Sequence, residues 1–407
     1  MKFHFTNLPT PARLAIKLRP AAEKMVKSGH PWVFEKGIAK QNKPGSAGDI
    51  AIIFDQRKNQ VVAIGLYDPD SVIRIKILSS KKATLDKNWF KNRIEEAYQK
   101  RLPLLQTDTN SYRLLHGEND GFPSFVADVY AEVIVIKLYS TIWFPYLSWM
   151  IEQLVALTEC SAGVLRLSRQ LQKDSSKLYG YTDGALLWGD LKEETVIFKE
   201  HGLQFGANVI KGHKTGYFLD HRHNRKRIGE LAKGKKVLDV FAYAGGFSVH
   251  AMAGGASSVI SLDISKQALA VAQQNMALNF PTSEHQIMAI DAFKGLATLY
   301  HTGNRFDLVI VDPPSFAKKE SDIKKATYQY AELAKLAVRL VNPNGILLLA
   351  SCSSRVTQEV FYETVLTAVK ETNIPFSEME RNQHDIDHPI GFTEGAYLKS
   401  IYLRIGR

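Results

Sequence analysis

Four acids and one thiol stand just past short apolar runs, where side chains at the ends of buried strands could work together. Asp239 closes the run from Val237, and Asp263 closes Val259-Ile-Ser-Leu 24 residues later. Asp291 follows Gln286-Ile-Met-Ala-Ile, Asp312 follows Phe306-Asp-Leu-Val-Ile-Val, and Cys352 sits between two serines after Ile346-Leu-Leu-Leu-Ala. A strand-end carboxylate can accept hydrogen bonds from both hydroxyls of a ribose. Taken singly, each acid could equally be a helix N-cap. A thiolate is suited to covalent addition, although a cysteine behind a buried strand can also be no more than a small hydrophobe.

Positioning these groups requires a parallel sheet. Val237-Leu-Asp-Val-Phe-Ala-Tyr-Ala-Gly-Gly-Phe-Ser248 reads as strand, tight turn and helix, the opening of a nucleotide-type βα unit. Glycines there let a ligand approach the backbone, and the N–H groups of the next helix supply donors. The stretch has neither Gly-x-Gly-x-x-Gly nor the Gly-Lys-Ser/Thr of a phosphate loop, which argues against NAD and ATP. Successive strands ending in polar residues form a row along the carboxyl edge of the sheet, where open α/β folds bind ligands.

The ordered set Asp239 with Gly245-Gly246, Asp263, Asp291, Asp312-Pro313-Pro314 and Ser351-Cys352-Ser353 resembles the class I S-adenosylmethionine-dependent methyltransferases. With Gly212-His-Lys-Thr-Gly-Tyr-Phe-Leu-Asp-His-Arg222 upstream and Gly29-His-Pro-Trp-Val-Phe34 near the amino terminus, the chain resembles the three-domain bacterial 23S ribosomal RNA cytosine-C5 methyltransferases of the large subunit methyltransferase I type. The similarity runs from about Arg13 to the carboxyl terminus. It implies a PUA-like RNA-binding domain at 1–82, an α+β middle domain at 83–195 and a Rossmann-like methyltransferase domain at 196–407. The expected fold class is therefore α/β with a mostly parallel sheet, preceded by a small β-barrel. The resemblance places Phe218, Asp220, Arg222, Asp239, Phe241, Ala244, Gly245, Asp263, Ile264, Asp291, Ala292 and Asp312 around S-adenosylmethionine, and Trp32, Lys36 and Arg74 against RNA.

Composition bounds the answer separately. A chain of 407 residues with 45% hydrophobic content is globular and long enough for two or three domains. Its two cysteines, Cys160 and Cys352, form neither a zinc pair nor a disulfide framework, so a reducing cytoplasm is expected. Arg13, Lys17 and Arg19 come too soon after Met1-Lys-Phe-His-Phe5 for a signal peptide. The window Thr141 to Leu157 carries Pro145, Ser148 and Glu152 and falls short of a membrane span. Of the formal charge of +11, residues 1–110 carry 20 Lys and Arg against 10 Asp and Glu, while the remainder carries 32 against 31. Positive charge concentrated at one end is the electrostatic footprint of a polyanion partner, or else a basic soluble surface.

Along the chain, Leu14–Leu18, Asp49–Phe54, Val61–Leu66 and Val72–Ile77 alternate as strands of the small barrel. A helix is expected over Leu85–Gln99, strands over Ser124–Val129, Val133–Tyr139 and Gly163–Leu167, and a helix over Pro145–Thr158. Val196 to Asn208 reads as a hairpin turning at Glu200-His-Gly202. His213, His221 and His223 lack a carboxylate at a ligand spacing such as His-Glu-x-x-His, so no metal is expected. The basic run Arg222 to Arg227 falls on a helix and could touch RNA phosphate or simply be solvated. Asn342-Pro-Asn-Gly345 reads as a turn, and Tyr397–Leu403 as a last strand.

The cytosine chemistry implied by the resemblance suits these residues. C5 of cytosine is a poor nucleophile until a thiolate adds to C6, the role expected of Cys352. Asp312 would hydrogen-bond the N3/N4 edge as charge develops. Many RNA cytosine-C5 methyltransferases carry a second cysteine where this chain reads Asp312-Pro-Pro-Ser315, and here it is absent. An N7- or N2-guanine methyltransferase is the alternative enzyme, though Ser315 replaces the aromatic of the amine-directed motif. A catalytically silent assembly factor is the alternative from another class. A homodimer is left open.

Overall fold

Short β-branched runs broken by Gly, Pro and Asn build the first sheet. The computed structural model describes residues 8–406, so Met1–Phe5, read above against a signal peptide, lies outside them. The chain forms two compact units: one takes the residues up to Lys199 with Ala207–Leu219 and Ile386–Thr393, the other Glu200–Gly206, Asp220–Asp385 and Glu394–Arg407.

In the first unit, strands Arg13–Leu18, Trp32–Phe34, Ile38–Gln41, Ile50–Phe54, Val61–Tyr67 and Ile73–Ser79 form a six-stranded mixed sheet. Only the pairing of Arg13–Leu18 with Ile50–Phe54 is parallel. The four expected strands are present. Trp32–Phe34, Ile38–Gln41 and the helix Pro20–Lys27, which begins on a proline at its first turn, were not anticipated. A five-stranded sheet follows, from Ser111–His116, Phe125–Tyr130, Val133–Leu138, Ala162–Leu167 and Ala185–Trp188. Against it lie helices Lys87–Gln99, capped by Asp86 accepting from Trp89 N, and Leu147–Thr158. Pro145 falls in a 3-10 turn, Thr141–Tyr146, so the α-helix starts two residues later than expected. The hairpin Thr195–Glu200 and Leu203–Asn208 turns through His201 and Gly202, both at positive φ, the pattern of a type I′ turn.

The second unit holds seven strands: β1 Lys236–Val240, β2 Ser258–Asp263, β3 His285–Ala289, β4 Phe306–Val311, β5 Val341–Ser351, β6 Phe376–Asn382 and β7 Lys399–Ile405. Their order is β3-β2-β1-β4-β5-β7-β6, with β1 to β5 parallel and β7 antiparallel to its two neighbours, β5 and β6. The order reverses at β1/β4, so their carboxyl ends flank a crevice, the switch-point geometry of ligand-binding α/β sheets. Helices α1 Arg222–Leu231, α2 Gly246–Ala253, α3 Lys266–Asn279, α4 Ala292–His301, α5 Ile323–Val338 and α6 Gln358–Lys370 alternate with the strands. Leu238, Val309, Leu347 and Leu403 bury one face of the sheet against α4, α5 and α6, while Val237, Leu308, Leu348 and Tyr402 bury the other against α1 and α2. Alternation with period two sends neighbouring side chains to opposite faces, and parallel strands covered on both faces read as continuous apolar runs. Asn342–Gly345, expected as a turn, is instead an irregularity inside β5, where the pairing with β4 shifts between Phe306 and Leu308.

Candidate active site

Asp239 is the penultimate residue of β1 and is buried. The five residues after Val240 hold three at positive φ, Phe241 (64°), Tyr243 (47°) and Gly245 (73°). For Phe and Tyr this conformation is uncommon and costs of order 1–3 kcal/mol each, strain that collects at functional loops. Gly245 is needed for space as well as conformation, since a Cβ there would come 2.8 Å from the Ala272 Cβ. Asn275 on α3 steadies the loop by donating to the Ala244 carbonyl at 2.9 Å. Ser248, in the first turn of α2, donates to Asp239 Oδ2 from its N–H (3.1 Å) and from its hydroxyl (2.7 Å). Asp239 Oδ1 is buried with no hydrogen-bond partner among the described residues. Burial, reinforced by the charges of Asp312 and Asp263 and opposed by Ser248, pushes its pKa up to about 7. An unsatisfied buried acceptor invites a ligand that donates hydrogen bonds.

The next two acids divide the roles foreseen for them. Asp263 accepts from Tyr243 N at 3.0 Å and Ser265 N at 2.9 Å, which locks the β2 end to the β1 loop. Ile264 beside it is 71% exposed, an apolar surface of the kind a flat ring can cover. Asp291 is the N-cap of α4, accepting from Lys294 N at 3.2 Å, and Ala292 is buried behind it. The acids on this edge, with the orphan oxygen of Asp239, fit a cationic ligand that bears hydroxyl groups, as S-adenosylmethionine does.

Beyond β4 stands Asp312, whose N–H donates to the Val240 carbonyl at 3.3 Å. Its Oδ1 lies 3.2 Å from His221 Nε2, a close polar contact whose alignment falls short of a hydrogen bond. The other ring nitrogen settles the tautomer. Asn224 Nδ2 is 3.1 Å from His221 Nδ1, while Asn224 Oδ1 accepts from Tyr402 OH at 3.0 Å and Ser400 Oγ at 3.2 Å. An amide nitrogen only donates, so Nδ1 accepts and the ring proton sits on Nε2, facing Asp312. Burial drives the His221 pKa down, but the charges of Asp312 and Asp220 outweigh it and the net direction is up. Sequence reasoning weighed His221 only as a metal ligand; its spacing of three from Asn224 on one helix was the available signal. Among the described residues no group of three His, Cys, Asp or Glu side chains could hold a metal ion.

Cys352 follows β5 immediately and is partly exposed, with Sγ 3.7 Å from the Pro313 carbonyl. Because β4 and β5 are parallel neighbours, the thiol and the Asp312-Pro313 loop emerge side by side. Ser351 donates to Tyr330 OH at 2.9 Å and Ser353 Oγ donates to the Ala317 carbonyl at 3.4 Å, fixing the residues on either side.

The stretch before the sheet is largely internal. Asp220 accepts from Tyr397 OH at 3.0 Å. Arg222 is fully buried, 3.1 Å from Asp385 Oδ2 and 3.6 Å from Glu200 Oε2. Arg225 grips Glu200 through two 2.6 Å hydrogen bonds, and Arg227 pairs with Glu380 at 2.7 Å. Of the basic run on α1, Arg222, Arg225 and Arg227 are thus paired with carboxylates, and Lys226 is exposed. Phe218 belongs to the first unit, where Lys214 Nζ stands 5.5 Å from its ring centroid.

Of the three residues foreseen against RNA, also in the first unit, Trp32 donates its indole N–H to Glu118 at 3.1 Å and meets Phe392 edge-on at 5.2 Å. Arg74 is paired with Glu35 at 2.9 Å and donates to the Pro69 carbonyl. Lys36 is exposed, and so is the neighbouring Phe34, at 45%. No helix among the described residues is long and apolar enough to cross a membrane.

A family described as S-adenosylmethionine-dependent methyltransferase matches residues 112–399, and one described as PUA-like domain matches residues 16–80. The chain is 42% identical over 400 residues to a ribosomal RNA large subunit methyltransferase of Deinococcus radiodurans, covering 97% of this chain and 98% of that one. It is 34% identical over 401 residues to ribosomal RNA large subunit methyltransferase I of Shewanella frigidimarina, with 96% and 99% covered. The crystal structure of SMU.776 complexed with SAH superposes with a TM-score of 0.82 over 97% of this chain and all of that one. At 20% identity that likeness speaks for the fold alone.

Proposed function

This chain belongs to the S-adenosylmethionine-dependent methyltransferases of the ribosomal RNA large subunit type, and we propose that it methylates C5 of a cytosine in 23S ribosomal RNA. The observation that carries this reading is the partly exposed Cys352 beside the Asp312-Pro313 loop, with Sγ 3.7 Å from the Pro313 carbonyl. A thiol at that place has no use in methylating guanine N7, whose in-plane lone pair is nucleophilic already, and the exocyclic N2 is activated by hydrogen-bond acceptors, not by addition of a thiolate.

In this reading the Cys352 thiolate adds to C6 of the base, forming the C6–S bond while the ring electron pairs shift toward C5 and N3. Asp312 meets the N3/N4 edge, giving N3 the hydrogen bond or proton that the added charge demands. His221, whose Nδ1 accepts from Asn224, turns its Nε2 proton toward Asp312 Oδ1 at 3.2 Å and keeps that carboxyl group in place. S-adenosylmethionine, when bound, supplies the electrophilic methyl group that the activated C5 takes up. Water or a nearby base then takes the C5 proton while Asp312 recovers any proton given to N3, and the electron pair released restores the C5–C6 double bond and expels the thiolate.

Donor binding falls to Asp239, Phe241, Ala244, Gly245, Asp263, Ile264, Asp291 and Ala292 along the β1 to β4 edge, with Asp220 and Asp312 at its far side. Phe218 and Arg222 complete the set inferred from the family motif, Arg222 acting through the ion pairs that hold Asp220 and His221 at the start of α1. Asp263→Ala should weaken S-adenosylmethionine binding by at least about 1.5 kcal/mol, roughly tenfold, in a calorimetric titration. Unchanged affinity in a folded variant would remove Asp263 from the site. For RNA, Lys36 and Phe34 are the outward-facing choices, whereas Trp32 and Arg74 are engaged by Glu118 and Glu35.

The reaction is tested by incubating the protein and donor with unmodified 23S ribosomal RNA and separating the nucleosides by mass spectrometry. The expected product is 5-methylcytidine. A methylguanosine would replace this reading with the guanine-directed one.

A further inference from the structure

Lys399 lies on β7 directly opposite Ser351 of β5, and it is fully buried. Its ammonium donates to the carbonyls of Ser353 and Val356, and to Tyr397 O at 3.2 Å. An ammonium has three hydrogens to donate, so all are spent on backbone oxygens. Two of those oxygens belong to the turn from Ser351 to α6, and Cys352 stands between the residue Lys399 pairs with in the sheet and the residue whose carbonyl it holds.

Among the described residues no carboxylate forms an ion pair with this ammonium, and burying a lysine is ordinarily avoided unless its charge is used. We propose that Lys399 positions Cys352 and supplies the positive charge against which the Cys352 thiol ionises. This rests on the reading of Cys352 as the nucleophile.

Electrostatics agrees with the geometry. Burial pushes the Lys399 pKa down to about 8, and the groups that favour its charge are Cys352 first and Glu359 on α6 second. The interaction is reciprocal: whatever the thiolate contributes to the ammonium, the ammonium contributes to the thiolate. The thiol proton leaves to solvent, because the ammonium hydrogens are already committed. Other titratable groups at this spot are Asp312 on the β4 loop and Tyr330 on α5. Asp312 opposes the thiolate when ionised. Tyr330 stays neutral, since burial raises its pKa, with the charges of Cys352 and Asp312 adding to the effect. The Pro313 carbonyl also disfavours a thiolate at 3.7 Å, so the positive charge of Lys399 has work to do.

The test is alkylation of the full-length protein by iodoacetamide across pH 5.5 to 10, followed on the Cys352 peptide by mass spectrometry. Cys160 is buried and its thiol pKa is raised by burial, so it does not compete. Wild-type Cys352 should be half-reactive below the ordinary thiol pKa of about 8.5. Lys399→Met should move that midpoint up by at least about one pH unit, a tenfold loss of rate near neutrality, and Lys399→Arg should keep most of the wild-type behaviour. A wild-type midpoint at or above 8.5 overturns the proposal even if Lys399→Met fails to fold. So does a variant whose rate changes equally at every pH, the mark of a loop-holding role alone. Neither nucleic acid nor methyl donor takes part, so a methylguanosine product would sink the cytosine reading and leave this result standing.

Discussion

Cys352→Ala should lower methyl transfer by at least roughly 10³-fold and leave donor and RNA affinity unchanged, because the lost interaction exists only along the reaction path. The substitution removes one partly exposed sulfur, while Ser351 and Ser353 keep the hydrogen bonds to Tyr330 and Ala317 that fix the turn. Single-turnover rates with 23S ribosomal RNA would separate this effect from weakened binding. A loss confined to KM would mean that the thiol contacts the substrate without attacking it.

The second large effect is on stability. Glu200 is fully buried and accepts two hydrogen bonds from Arg225 and one contact from His250 at 3.0 Å. Glu200→Gln should cost about 3–5 kcal/mol in denaturant unfolding, since it leaves the buried guanidinium of Arg225 without its counter-charge. Burial alone would raise the Glu200 pKa, but Arg225 overcomes this and holds the carboxyl far below its ordinary value of about 4.5. A depressed carboxyl stabilises the fold fully above that ordinary value and progressively less as pH falls below it. The wild type should therefore lose the Glu200 contribution on acidification below about pH 4.5, and the variant should lack that part of the slope. Equal unfolding free energies at pH 7 would contradict this account of the cluster.

The parallel half of the sheet was legible because β1, β2, β4 and β5 are apolar runs that stop at a polar residue, and burial on both faces allows little else. β6 was not: Phe376-Ser-Glu-Met-Glu-Arg-Asn382 lies on the sheet edge and carries too few apolar residues to show a period. Ile386–Thr393 was missed for another reason. It is grouped with the first unit, where Asp387 accepts from Arg113 N at 2.9 Å, a pairing 274 positions apart that no local pattern announces.

The acids were visible as strand ends, but what they do depends on neighbours. Asp291 and Asp239 look alike in sequence, yet one caps a helix and the other keeps an unpartnered oxygen in the interior. Phe241 and Tyr243 gave no sign of their positive φ, because that conformation is favoured in Gly and Asn and is imposed here by the surrounding packing. His221, Asn224 and Lys399 were hidden in the same way. Each reads as an ordinary helix or strand residue until Asp312, Tyr402 and the Cys352 turn are brought against it.

The central claim is covalent addition of Cys352 to a cytosine, and 5-fluorocytidine at the target position tests it most directly. Fluorine at C5 cannot leave as a proton, so after methylation the C6–S bond has no route to break. With donor present, the wild-type protein should form a protein–RNA adduct that survives denaturation and maps to Cys352, and Cys352→Ala should form none. Absence of an adduct from an enzyme active on unmodified RNA, or methylation by Cys352→Ala at near wild-type rate, would contradict the account.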